Sequence, residues 1–408
     1  MSGDSTMIRR IAEFLGLRRN LGLLLVTIVI ISTGEELWLR FLPKYLQAIG
    51  ASVFIIGMFD ALRTCIGALY AYPGGVLVDR LGHRNALVSF TAISIVGYAL
   101  VALVPHWTAV IGGMFLFLAW TCFSLPAAFS LVAATLKREQ HTMGIAVQSL
   151  VKRLPILVGP IVGGMLIDRY GIIIGVRASL AVACVAGVIA ILVQLRIQDA
   201  PRTGVPRRQS FLATARLMNA PLRRLLVSDI LVRFCERIPF AWVVIYAMDY
   251  VGTSATGVGV LTGIEMLTAT LCMIPVAYFA DRNRREPFVI TTFIFFPLFP
   301  LALLFANSFA LLVLAFFVRG LKEFGDPARK ALILELSPEE GRARMIGCYY
   351  LIRDLIVAAG ALIGAALWKY GPTVNFSAAA ICGLLGTIFY VLTMRNAEAD
   401  LLIRKAGK

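Results

Sequence analysis

The chain has 408 residues, 59% of them hydrophobic and only 15% charged, with a mean hydropathy of +0.83. That is too apolar for a water-soluble protein of this size, so most of the sequence is expected in lipid. Its 39 Lys and Arg against 23 Asp and Glu give a formal charge of +16, which in a soluble protein would suggest nucleic-acid binding; a bias of basic residues toward cytoplasmic loops accounts for it here, and no nucleic-acid partner is expected.

Residues 1–19 read as a cytoplasmic arm. The amphiphilic stretch from Ile8 to Arg19 lacks the apolar core and cleavage site of a signal peptide and suits an interfacial lead-in. Apolar runs of about 18 to 25 residues then recur from Leu21 to Thr393, each long enough to cross a hydrocarbon layer of about 30 Å as a helix. About twelve spans are expected, centred near residues 30, 65, 95, 120, 155, 182, 236, 268, 297, 320, 355 and 383.

The first span, from about Asn20 to Tyr45, contains Glu35, Glu36 and Arg40, and the second contains Asp60 and Arg63. The second closes on Gly74-Gly75-Val76-Leu77-Val78-Asp79-Arg80-Leu81-Gly82-His83-Arg84-Asn85, a short basic link. The fifth passes Lys152 and Arg153 and then reads Gly159-Pro160-Ile161-Val162-Gly163-Gly164. There the proline removes a backbone donor and the glycines admit a close neighbour. A polar stretch rich in arginine, with Pro201, Pro206 and Pro221, separates the two halves.

The second half repeats the first. Pro275 to Arg285 is a weaker copy of the link, carrying Asp281 and Arg282, and Met143, Arg153, Gly164, Tyr170 and Gly171 are echoed by Met345, Arg353, Gly364, Tyr370 and Gly371. The expected organisation is an arm over 1–19, a six-helix bundle over 20–195, a linker over 196–222, a second bundle over 223–394 and a tail over 395–408. Basic residues fall in the arm, the linker and alternate loops, whereas the opposite loops carry few, such as Arg169 and Lys369. Both termini are therefore expected in the cytoplasm.

The link, with its Gly, three residues, Asp, Arg, one residue and Gly, resembles the signature loop of the major facilitator superfamily. The resemblance implies an all-α membrane protein with twelve transmembrane helices in two pseudo-symmetric six-helix bundles, and alternating-access secondary transport. It also implies a gating role for Gly75, Asp79, Arg80, Gly82, Arg84, Asp281 and Arg282, the aspartate meeting a helix N-terminus across the bundle interface in one state. Gly159, Pro160, Gly163 and Gly164 resemble the motif of antiporter members, which adds them to the gating set. Two departures stand out: the second link has Ala277 and Asn283 for its glycines, and the fourth span, Ala119 to Ala134, lacks the arginine common in drug exporters.

Charges inside the spans carry the functional argument. About twenty of them facing lipid would cost on the order of 50 kcal/mol, so they must face one another or water. The substrate-cavity candidates are Arg40, Arg63, Lys152, Arg153, Arg233, Arg237, Arg319, Lys322, Glu323, Arg353 and Asp354. Glu36 and Arg40, Asp229 and Arg233, and Arg233 and Arg237 are i,i+4 pairs, and Arg319, Lys322, Glu323 and Asp326 follow three-to-four spacing along one helix face. A wet central chamber lined by spans one, five, seven, ten and eleven is expected, with use favoured over static pairing for the set.

No Gly-rich phosphate loop occurs, so transport is expected to draw on an ion gradient, a proton foremost. Its candidate carriers are Glu35 and Glu36, where acids serve in related exporters, then Asp60, Glu236, Glu265 and Asp326. The expected activity is proton-coupled antiport exporting a small organic or drug-like molecule; the alternative is a proton symporter or exchanger for an anionic or zwitterionic solute. Three histidines near loops and seven dispersed cysteines offer neither a metal set nor a nucleophile with its base. No enzyme activity, cofactor or metal is expected, and the partners are substrate, proton and lipid around a monomer in a bacterial inner membrane.

Overall fold

Long apolar runs free of polar punctuation become long helices, because a backbone in lipid must satisfy its own hydrogen bonds. The computed structural model describes residues 19–135, 141–198, 211–282, 286–338 and 342–406, and no strand occurs among them. In order the helices are α1 (Arg19–Glu36), α2 (Leu42–Ala48), α3 (Val53–Leu81), α4 (His83–Leu103), α5 (Trp107–Thr135), α6 (His141–Tyr170), α7 (Ile172–Gln194) and α8 (Phe211–Arg216). The second half supplies α9 (Ala220–Arg237), α10 (Trp242–Ile245), α11 (Ala255–Arg282), α12 (Glu286–Phe305), α13 (Phe309–Leu321), α14 (Asp326–Leu336), α15 (Arg342–Trp368) and α16 (Pro372–Ala406).

Eight stretches of the described chain are long and apolar enough to cross a membrane, among them Arg84–Leu103, Ile172–Gln194 and Glu286–Phe305. Three expected spans are instead interrupted. The first breaks at Leu37-Trp38, passes through a 3-10 turn at Leu39–Phe41 and resumes in α2 with Pro43 in its first turn. The seventh stops at Arg237 before Pro239, continues as α10 and ends in a π-turn, Tyr246–Tyr250. The tenth breaks between Leu321 and Asp326, with Gly325 at the break and Pro327 opening α14. At the first and tenth spans a proline that cannot continue the old ladder sits in the first turn of the new segment, and at the seventh Pro239 lies in the turn between the two helices.

Helix α7 shows how the spans pack. It buries Gly175, Val176, Ser179, Leu180, Ala183, Gly187 and Ala190 at three-to-four spacing, and exposes Ile174, Val182, Val185, Val188, Ile189 and Leu192. Small residues let neighbouring backbones approach while branched apolar ones meet lipid. The echo noted between Tyr170-Gly171 and Tyr370-Gly371 is visible in the backbone: Gly171 (φ 79°) turns α6 into α7, and Gly371 (φ 109°) turns α15 into α16.

The chain forms two compact units. Unit 1 comprises Met1–Gly50, Ile66–Pro206 and Ser254–Gly259; unit 2 comprises Ala51–Cys65, Arg207–Thr253 and Val260–Lys408. Unit 1 has a core of Leu24, Ile28, Leu87, Phe90, Trp120 and Ala190, built by α1, α4, α5 and α7. The unit 2 core joins α9, α12, α14, α15 and α16 through Leu222, Val232, Phe293, Leu332, Tyr349 and Tyr390.

Candidate functional site

In unit 1 the charges are sparse. Glu35, near the end of α1 and only 8% exposed, accepts hydrogen bonds from the Tyr98 hydroxyl of α4 at 2.6 Å and the Thr121 hydroxyl of α5 at 2.9 Å, both on Oε1. Tyr98 is itself fixed by its neighbours, stacked on Phe117 and edge-on to Trp38. Among the described residues no Lys, Arg or His comes within 4.0 Å of the Glu35 carboxylate. Glu36 points elsewhere, and Arg40 lies 3.9 Å from it. Lys152 and Arg153 sit half-buried on α6.

Unit 2 is the opposite case. Asp229 of α9, 1% exposed, receives Arg329 at 2.6 and 2.8 Å, Arg353 at 3.3 Å and the Tyr349 hydroxyl at 3.2 Å. Arg329 also bonds Asp326. Arg233 reaches Glu236 at 2.7 Å and approaches Asp229 and Asp326 at 3.9 Å each. Lys322 bonds Glu236 and lies 3.5 Å from Glu265, which Arg319 meets at 3.1 Å. The Arg319 guanidinium also lies over the rings of Phe299 and Phe316. Arg353 closes the set on Asp354 at 2.7 Å. Removing these charges from water is tolerable because nearly every one finds an opposite partner at hydrogen-bond distance.

A second group in unit 2 is built around Phe240. The Arg63 and Arg237 guanidiniums lie 5.3 and 4.9 Å from its ring centre. Arg237 holds both oxygens of Asp60 at 3.1 and 3.3 Å, and Arg63 is 3.9 Å away. The sequence places Asp60 and Arg237 in different halves, and folding makes them one ion pair.

These placements revise several expectations. The tenth span is not one continuous helix, so Arg319, Lys322, Glu323 and Asp326 do not share a single face: the break lets Arg319 and Lys322 turn to Glu265 and Glu236 while Asp326 turns to Arg329. Within unit 2 the described charges face one another, one of the two settings the sequence allows. The spans of Asp60 and Glu265 also contribute ion-pair partners. Tyr98 and Thr121 are partners that sequence reasoning misses, because a hydroxyl in an apolar run carries no sequence signal of what it faces.

The glycines of α6 have defined neighbours. A Cβ on Gly159 would lie 2.6 Å from that of Glu36, one on Gly163 would overlap the Leu37 carbonyl, and one on Gly164 would come 2.5 Å from the Ala255 oxygen. In unit 2, Gly364 of α15 meets the Ile238 carbonyl in the same way, and Gly360 lies against the Phe234 ring and Arg237 Cβ. Each interrupted helix, α1/α2 or α9/α10, thus presents its break to a glycine pair. Pro160 lies on the same helix face as Gly164, its carbonyl against Gly259. Of the expected gate residues, Gly82 (φ 82°) starts α4 and Arg84 lies 3.5 Å from Asn85. The side chains of Asp79, Arg80, Asp281 and Arg282, and the surroundings of Gly75, lie outside the described residues.

A family model described as Major Facilitator Superfamily matches residues 24–235 and again 225–407, so each half answers to it separately. The chain is 20% identical to a multi-drug resistance efflux pump PmrA homolog of Lactococcus lactis subsp. lactis (strain IL1403), over 92% of this chain and 93% of that one. It is 22% identical to the multidrug resistance protein MdtG of Enterobacter lignolyticus (strain SCF1), over 94% of both. Among solved structures, a POT family transporter in complex with a thioalcohol-conjugated peptide superposes with a TM-score of 0.78 at 12% identity, over 93% of this chain and 96% of that one. With the expected helices, the repeated halves and these matches in agreement, the chain belongs to the Major Facilitator Superfamily, as a membrane-spanning secondary transporter and not an enzyme.

Proposed function

We propose that the protein is a proton-coupled antiporter that exports a small drug-like molecule from the cytoplasm, with both termini on the cytoplasmic side and Glu35 as the proton carrier. The observation that carries this reading is the setting of Glu35. Its Oε1 meets two neutral hydroxyls, and the Lys152 ammonium acts on it only from beyond ion-pair distance, so both protonation states can be held: hydroxyls donate to a carboxylate and can turn to accept from a carboxylic acid. The other five candidates are less suited. Asp60, Glu236, Glu265 and Asp326 each face a guanidinium or ammonium, and Glu36 lies near Arg40. The relatives described as multidrug pumps support the drug-like substrate.

The test is purified protein in liposomes with an imposed pH gradient, using ethidium as the probe. Ethidium movement should follow the gradient, and Glu35→Gln should lose that dependence while still binding the probe. Movement indifferent to the gradient in the unaltered protein would remove proton coupling, and a fully coupled Gln variant would remove Glu35.

A second reading, an anionic or zwitterionic solute, is favoured by one feature. Arg63 and Arg237 both lie against Phe240 and both approach the Asp60 carboxylate, and paired guanidiniums suit carboxylate recognition. Faster movement of a benzoate-type anion than of ethidium would select it.

A further inference from the structure

The sequence Gly74-Gly75-Val76-Leu77-Val78-Asp79-Arg80-Leu81-Gly82 recurs inside the same half as Gly163-Gly164-Met165-Leu166-Ile167-Asp168-Arg169-Tyr170-Gly171. Both glycine pairs, the leucine, the Asp-Arg and the closing glycine coincide. The backbone coincides too: Gly82 (φ 82°, ψ 163°) precedes α4 and Gly171 (φ 79°, ψ 163°) precedes α7. One copy ends α3 and the other ends α6, and with cytoplasmic termini these ends lie on opposite membrane faces.

The second copy is engaged. The Asp168 carboxylate accepts from the backbone N–H of Ala255 at 2.8 Å and of Thr256 at 2.9 Å, one oxygen to each, at the first turn of α11. Ser254 takes a third, from Gly257 at 3.0 Å. A helix N-terminus leaves such donors without intrahelical partners and favours a negative charge beside it. The seat is flush: a Cβ on Gly164 would come 2.5 Å from the Ala255 oxygen and 2.7 Å from Thr256 Cα, and one on Gly259 would come 2.6 Å from Ile161 Cα. In the second half, Leu367-Trp368-Lys369-Tyr370-Gly371 has no acid at the corresponding place, and α3 starts on the Ser52 hydroxyl, 3.3 Å from the Ile55 nitrogen.

We infer that Asp168 is a gating residue, an outer-face latch that holds the first turn of α11 on α6 and must let go each time the transporter opens outward. The turn Ser254–Gly259 belongs to unit 1 and the rest of α11, from Val260, to unit 2. A continuous helix does not bend freely between adjacent turns, so relative movement of the units at this end has to peel the turn from Asp168. This rests on the alternating-access reading and its orientation.

The test needs no knowledge of the substrate. Ala255 is fully buried, and an Ala255→Cys reporter leaves the backbone N–H and the latch in place. Cells carrying it are treated from outside with a membrane-impermeant maleimide, and the protein without the reporter sets the background of the native thiols. Adding Asp168→Ala should speed labelling about five- to tenfold, the size expected for loss of an N-cap acceptor. Asp168→Asn, which keeps one acceptor, should fall between and shows that the Ala result is not misfolding. Reagent applied from the cytoplasmic side of inverted vesicles should show no such increase. Equal outside rates for Asp, Asn and Ala at this position would overturn the latch, as would an equal rise from both sides. Unequal outside rates in a protein that moves no solute would support the latch as a moving contact and sink only the transport proposal.

Discussion

Two buried carboxylates, Glu35 in unit 1 and Asp229 in unit 2, meet the same problem in opposite ways. Asp229 is held by two guanidiniums and a tyrosine hydroxyl, with a third guanidinium at 3.9 Å. Glu35 is held by two hydroxyls. On the proposed function, the difference separates structure from exchange. A carboxylate with fixed counter-charges is part of the scaffold, since removing either partner strands the other in a poor solvent for ions. A carboxylate whose hydrogen-bond partners are hydroxyls can change its charge without breaking an ion pair.

That contrast can be broken most forcefully at Arg329. Replacing it with Met leaves Asp229 and Asp326 short of their principal partner and should lower stability by about 3–5 kcal/mol, as removal of one member of a buried pair typically does. Thermal unfolding in detergent would show it, and the double variant with Asp229→Asn should recover part of the loss. A smaller effect of Arg329→Met than of any change at Glu35 would reverse the assignment of the two regions.

Next in size is the glycine pair beneath the two interruptions. Gly163→Ala and Gly364→Ala each place a methyl group on a backbone carbonyl that has no rotamer to adopt. Each should cost about 1–3 kcal/mol, the usual range for overpacking, read as lost yield of folded protein. Equal losses would show that both units close around their breaks in the same way despite different charges.

Smaller still is Tyr98→Phe. It removes one hydrogen bond from Glu35, keeps the ring against Trp38 and Phe117, and should cost about 1–2 kcal/mol. Its more telling readout is the pH at which gradient-driven ethidium uptake is half-maximal, which should move, whereas Arg329→Met should change yield and leave that midpoint in place. Smallest is the stability of Glu35→Gln: the amide oxygen accepts the same two hydroxyls, so unfolding should shift by less than about 1 kcal/mol. A large loss there would mean that Glu35 is a structural charge after all.

Much of this was legible in the chain itself. Periodic apolar runs, the repeated link and the alternation of basic loops fix a helical membrane protein made of two like halves, because the bilayer imposes length, apolarity and internal hydrogen bonding on every span. Glu35, Asp60, Arg237 and Arg353 stand out as charges where lipid tolerates none. The glycines of α6 stood out as places where a neighbour comes close.

Tertiary structure alone decided what those residues meet. Helical periodicity relates positions three or four apart on one helix, whereas Asp60 with Arg237, Asp229 with Arg329, and Asp168 with the start of α11 join segments far apart in the chain. Whether an acid faces a guanidinium or a hydroxyl depends on which rod lies beside it and at what height. In the tenth span the proline-opened break separates Lys322, which bonds Glu236, from Asp326, which bonds Arg329. Glu35 and Asp229 are both acids within helical spans in the sequence, and only packing gives one two hydroxyls and the other two guanidiniums.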